Sequence, residues 1–125
     1  MSKHVAVWVD HKEARIFSLH PESTDEATVM APLHNIHHKH PTGPDGAKEH
    51  PDDAKRFFHE VGRGLEGAEE ILLAGPGSAK LELLRYLQNH EHALERKIVG
   101  IETVDHPTDK QFVAFAKKCF KRVLL

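Results

Sequence analysis

Apolar positions along this chain fall in short blocks, and their period changes partway. Residues 5–9, Val-Ala-Val-Trp-Val, are continuously apolar, β-branched and aromatic, and predict a buried strand. Asp10-His11-Lys12-Glu13 reads as a polar turn, and residues 14–19 alternate apolar and polar, so a hairpin is expected. A second turn at 20–23 leads to a third strand over 27–31, which completes a meander. The period then lengthens. Pro51, Asp52 and Asp53 open a helix whose apolar face is Phe57, Phe58, Val61 and Leu65, with Gly62, Gly64 and Gly67 fraying and ending it. A strand over 70–74 feeds a helix over 79–90 that presents Leu81, Leu84, Tyr86 and Leu87 at helical spacing. A last strand over 98–104 precedes a final helix. Thr108 or Asp109 is placed to cap it, and Phe112, Phe115, Ala116 and Cys119 point inward.

The order β-β-β-α-β-α-β-α predicts an α/β fold. Three antiparallel strands followed by parallel α/β units make a mixed five-stranded sheet of the ribonuclease H-like kind, with three helices. Residues 1–125 are expected to form a single domain. One stretch breaks the pattern. From Pro32 to His50 the chain is dominated by His, Pro, Gly, Asp and Lys, a loop of unusual length for so small a domain. Over 34–50 only Ile36 is a sizeable apolar anchor, and ordering each residue costs about 1–2 kcal/mol of backbone entropy. A free loop is therefore expected to be mobile and to become ordered on binding.

Composition narrows the function classes. Charged residues make up 29% and hydrophobic ones 39%, which suits a soluble globular protein. A formal net charge of −2 excludes coating of nucleic acid by bulk electrostatics and leaves room for a local basic patch. The apolar runs are too short to span a bilayer, and Met1-Ser2-Lys3-His4 leads directly into a strand, without a signal peptide. Cys119 is the single cysteine, so no intramolecular disulfide forms and a cytoplasmic location is expected. Among aromatic neighbours on a helix it reads as a packing thiol.

Histidine is the unusual component, at twelve residues. His37, His38, Lys39, His40 and Lys48 make a cluster suited to RNA, through phosphate contact and stacking on unpaired bases, and it gains charge below about pH 6.5. Asp45, Glu49, Asp52 and Asp53 weaken that potential. His34, His37, His38 and His40 are also a donor set for a divalent transition metal. The Gly-Pro-Gly turn at Gly75, Gly77 and Ser78 stands before a helix and can present N–H groups to an anion, although it completes neither phosphate-loop fingerprint. Ser78 otherwise reads as a helix N-cap. Asp10, Glu102 and Asp105 close or follow strands, where acidic residues of ribonuclease H-like nucleases hold two metal ions; turn and helix-entry roles explain them equally well. The cations Lys117, Lys118, Lys121 and Arg122 suit either a solvated last helical turn or contact with RNA or a partner.

Several segments resemble a known family. They are Trp8-Val9-Asp10-His11-Lys12-Glu13-Ala14, His37-His38-Lys39, residues 68–76 (Ala-Glu-Glu-Ile-Leu-Leu-Ala-Gly-Pro), and residues 97–109, from Lys97-Ile98-Val99 to Pro107-Thr108-Asp109. Over essentially its full length the chain resembles small bacterial proteins labelled "translational machinery protein". Its strand order is similar to the middle domain of eukaryotic and archaeal class I release factors and Pelota. The resemblance implies a translation-related role with the ribosome or RNA as partner. The release factors carry Gly-Gly-Gln in the loop before the first long helix, and this chain has no such tripeptide there. Peptidyl-tRNA hydrolysis by that route is therefore not expected. The leading expectation is a non-enzymatic ribosome- or RNA-associated protein without a resident cofactor. The alternatives are a metal-dependent nuclease and a transition-metal-binding protein. Oligomeric state is not legible in the sequence.

Overall fold

The computed structural model describes residues 3–20, 22–32 and 51–124. The histidine-rich segment lies outside the described residues, and with it His34, His37, His38, Lys39, His40 and Lys48. The strands are β1 (His4–Val9), β2 (Glu13–Leu19), β3 (Thr24–Met30), β4 (Glu70–Gly75) and β5 (Ile98–Thr103). The helices are α1 (Pro51–Gly64), α2 (Ala79–His90), the single turn α3 (His92–Glu95) and α4 (Asp109–Leu124).

The sheet order is β3-β2-β1-β4-β5, antiparallel between β1, β2 and β3 and parallel between β1, β4 and β5. This is the mixed five-stranded sheet expected from the pattern. β1 sits at its centre, which explains why five consecutive residues of it are buried: a central strand covered on both faces has no polar side. Alternate residues feed two cores. Val5, Val7 and Val9 pack with Ile71 and Leu73 under Phe57 and Val61 of α1, Leu65 just after it, Leu83 and Leu87 of α2, and Leu94 of α3. Ala6 and Trp8 face the other way and pack with Phe17, Leu72, Ala74, Phe112, Ala116, Cys119 and Phe120 beneath α4.

Several details differ from the sequence pattern. β3 starts at Thr24, because Thr24, Asp25 and Glu26 pair with Leu19, Ser18 and Phe17 despite their polarity. As an edge strand exposed over Asp25–Thr28, it tolerates them. Leu81 is 52% exposed whereas Lys80 is buried. Lys80 lays its aliphatic stem into the fold and donates from Nζ to the carbonyl of Gly77 at 2.6 Å. Phe120 joins the α4 core and Phe115 is only half-buried. Thr108 and Gln111 form a reciprocal cap at the start of α4, with Gln111 N donating to Thr108 Oγ1 (3.1 Å) and Thr108 N to Gln111 Oε1 (3.0 Å). Asp109 is thereby released for another partner.

The C-terminal ends of β1 and β4 approach so closely that a side chain on Gly75 would collide with the backbone carbonyl of Val9. Gly75→Ala is therefore expected to destabilise the protein by about 2–3 kcal/mol, since neither strand can shift without breaking its pairing. Urea denaturation of the purified variant checks this.

Candidate functional site

The parallel strands β1, β4 and β5 end on the same edge of the sheet, where open α/β sheets usually place their ligands. Three turns meet there: residues 10–13 after β1, 75–78 after β4, and 104–108 after β5. β3 ends at the same edge, and the amide of Ala31 donates to the carbonyl of Lys12 at 2.9 Å. The stretch joining β3 to α1, which contains the histidine-rich residues, is thus attached beside the β1–β2 turn.

Asp10 is the anchor of that turn. Its Oδ1 accepts from the amides of Lys12 (2.8 Å) and Glu13 (2.9 Å), the short Asx-type bonds that let aspartate close a hairpin. Its Oδ2 lies 4.0 Å from His106 Nε2, and His106 Nδ1 lies 2.9 Å from Asp105 Oδ1. Asp10 and Asp105 therefore share one imidazole, which leans against Trp8 with ring centroids 5.1 Å apart. Glu102 is half-buried on β5 opposite Ala74. Among the described residues no three His, Cys, Asp or Glu side chains are placed to hold a metal ion. Of the trio Asp10, Glu102 and Asp105, Asp10 closes the turn after β1, Asp105 meets His106 after β5, and Glu102 stands on β5 itself.

The Gly-Pro-Gly turn has its own arrangement. Ser78 occupies the N-cap position of α2 but makes no capping bond through its side chain. Its hydroxyl donates to Glu82 Oε2 at 3.0 Å, and His11 Nε2 sits 3.1 Å from the same oxygen. The Glu82 carboxylate supplies negative charge to the first turn of α2, so the helix dipole is met from within the protein. Of Gly75, Gly77 and Ser78, Ser78 is the one bonded to this internal anion.

Sequence reasoning missed a cluster built on Trp8 and Arg15, which are paired across β1 and β2 and share the α4 face. The Trp8 indole N–H donates to the carbonyls of Asp105 (2.8 Å) and Val104 (3.2 Å), fastening the end of β5 to β1 across β4. The Arg15 guanidinium lies 5.9 Å from the Trp8 ring centre, a cation–π distance. It also pairs with Asp109 Oδ1 at 2.8 Å and with Glu13 Oε2 at 3.0 Å. Burial alone would lower the Arg15 pKa, but the hydrogen bonds and charges of Asp109 and Glu13 outweigh it and the net direction is up. Glu26, on the neighbouring strand, is pushed above its ordinary range by desolvation and by the charge and hydrogen bond of Asp109, against a smaller pull from Arg15. The hairpin register was the available signal: alternation alone places Trp8, Arg15 and Phe17 on one face.

Trp8, Arg15, Phe17, His106, Pro107, Asp109 and Phe112 line a cleft of about 210 Å³. That is below the roughly 300 Å³ at which small-molecule sites begin. Two of its polar walls, Arg15 and Asp109, are paired with each other. The geometry is that of a braced surface, without an assembled nucleophile, base or metal cradle among the described residues.

Compared with protein-family models and with curated protein sequences, the chain has no match. Solved structures do match in fold. The Pelota protein of Archaeoglobus fulgidus is 18% identical with a TM-score of 0.65, over 93% of this chain and 31% of that one. The archaeal translation termination factor aRF1 is 19% identical with a TM-score of 0.59, over 93% and 34%. S. cerevisiae Dom34, a translation termination-like factor involved in RNA quality control pathways and interacting with Hbs1, is 13% identical with a TM-score of 0.51, over 81% and 29%. At such identities the likeness is one of fold. The chain spans about a third of the length of each of these proteins, and its fold resembles the middle domain of Pelota and aRF1. No helix among the described residues is long and apolar enough to cross a membrane.

Two outcomes are expected at this edge. Trp8→Phe keeps the ring but leaves two carbonyls without their donor, costing about 1–2 kcal/mol in equilibrium unfolding. Glu26→Gln acts through pH. Because folding raises the Glu26 pKa, the folded protein holds that proton more tightly, and the wild type loses stability as pH rises from near 4.5 through the raised value. The amide cannot ionise, so the variant is the more stable at pH 7, by no more than about 0.5 kcal/mol at so exposed a position. The difference closes below about pH 4, where both carry a neutral side chain. Paired thermal melts at the two pH values measure it.

Proposed function

We propose that this protein acts in translation, in the cytoplasm, as a non-enzymatic partner of the ribosome or of RNA. The observation that carries the reading is the match of 93% of the chain to one third of the archaeal translation termination factor aRF1, beside a like match to Pelota. The small bacterial "translational machinery protein" group, which the sequence resembles, is the family in which we place it. The site supports a contact function better than a catalytic one, because the charged groups at the sheet edge are spent on one another.

The contact is assigned to the His/Lys segment, residues 34–50. It joins β3 to α1 at the position where release factors carry Gly-Gly-Gln, and it reads His37-His38-Lys39-His40 followed by Lys48. Lysines supply phosphate contacts and imidazoles stack on unpaired bases. Binding of this kind weakens steeply with salt and strengthens as the histidines gain protons. Chelation of a transition metal by His34, His37, His38 and His40 has the opposite pH dependence, since it needs neutral imidazole.

Sucrose-gradient sedimentation from the native host tests the proposal. Tagged protein is expected in ribosomal fractions, with His37→Ala/His38→Ala/His40→Ala displaced toward the top of the gradient at an unchanged Tm. Absence of the wild type from every ribosomal fraction, in growth and in stationary phase, would overturn the reading. Retention of the protein on the ribosome by the triple variant would remove the loop from it.

A further inference from the structure

We propose that the outer face of α4 is a second RNA-binding surface, which grips the phosphate backbone without reading bases. This inference rests on the ribosome- or RNA-associated role and adds a location that the loop does not provide. In α4 (Asp109–Leu124) the buried side is Phe112, Ala116, Cys119 and Phe120. The opposite side carries Lys110, Ala114, Lys117, Lys118 and Lys121, all exposed. Lys110, Lys117 and Lys121 fall within a narrow arc at helical spacing, with Lys118 beside them and the small Ala114 leaving the stripe open. At 1.5 Å per residue the stripe runs about 16 Å.

The charge pattern has no explanation among the described residues. An exposed helix usually interleaves acids three or four residues from its cations. Here no Asp or Glu stands three or four positions from Lys117, Lys118 or Lys121. The helix's own acid, Asp109, is held by Arg15 from the sheet. None of the four lysines has an ion-pair partner among the described residues. The helix dipole accounts for a cation in the last turn only, whereas Lys110 stands in the first turn and Lys117 and Lys118 lie before the last. Lys117 and Lys121, four apart, repel each other. A chain of net charge −2 thus concentrates on one face of one helix positive charge that is unpaired among the described residues.

A polyanion is the partner this face complements. A bilayer fits it poorly, because a surface-seeking helix must offer an apolar face, and that of α4 is sealed against β1, β2 and β4. A phosphate backbone needs only a row of accessible cations, and RNA is the polyanion that the proposed role supplies.

The test uses the full chain and a labelled single-stranded RNA of mixed sequence, titrated between about 50 and 200 mM salt. Each phosphate contact contributes roughly 0.7 to the log–log salt slope on single strands, so four contacts contribute about 3. Lys110→Gln/Lys117→Gln/Lys118→Gln/Lys121→Gln is expected to fold with an unchanged circular dichroism spectrum and a slope shallower by about 3. Across that salt range the wild type then loses roughly 50-fold more affinity than the variant. Lys55→Gln/Arg56→Gln/Arg63→Gln on α1, which lies on the other face of the sheet, should keep the wild-type slope. The inference is overturned if the α4 variant retains the wild-type slope, if both variants flatten it equally, or if the wild type prefers phosphatidylserine vesicles to RNA. A wild type that cosediments with ribosomes alongside an equally well-bound α4 variant removes this surface alone. A wild type that neither binds RNA nor cosediments removes the underlying role with it.

Discussion

The packing of Trp8 is the constraint on which the upper edge of the sheet depends. Its ring is buried between the sheet and α4, and its N–H must find an acceptor there because an unpaired indole donor in a core is costly. The acceptors are the carbonyls of Val104 and Asp105, two strands away. Satisfying that one donor fixes where β5 ends, and with it the start of the turn leading into α4. Arg15 over the ring then reaches Asp109, and His106 against it reaches Asp10 and Asp105. A single buried polar atom thus propagates into a network joining β1, β2, β5 and α4.

The two faces of the sheet are finished differently. On the side of α1, α2 and α3, valines of β1 meet phenylalanines and leucines with little polar content. On the α4 side the core ends in charged groups at the cleft, and the helix itself turns lysines outward. The first face is almost wholly apolar, whereas the second carries an exposed row of lysines on α4. Pelota and aRF1 share this fold over about a third of their length.

Much of the architecture was legible because apolar period is set by geometry. The five strands and three long helices follow from runs such as Val5 to Val9 and Phe57, Phe58, Val61 and Leu65, whose burial the fold requires. What escaped depends on partners distant in sequence. Lys80 is buried because Gly77 offers a carbonyl, and Leu81 is exposed because the helix turns the other way by one position. Asp109 looked like a cap until Thr108 and Gln111 took that role, leaving it to Arg15. Asp10, Glu102 and Asp105 share a residue type with metal-binding carboxylates, but the geometry that would distinguish them is a property of turns and not of spacing. The loop residues His37, His38, Lys39, His40 and Lys48 were legible only as composition, and their arrangement lies outside the described residues.

The central claim is that this domain meets RNA with particular surfaces, and ultraviolet crosslinking in living cells of the native host tests it most directly. Crosslinked protein is digested and the modified peptides are mapped while the attached RNA is sequenced. The account predicts ribosomal RNA joined to residues 34–50 and to the outer face of α4, with α1 and α2 unmodified. Crosslinks confined to α1 and α2, or no RNA above the uncrosslinked control, would contradict it.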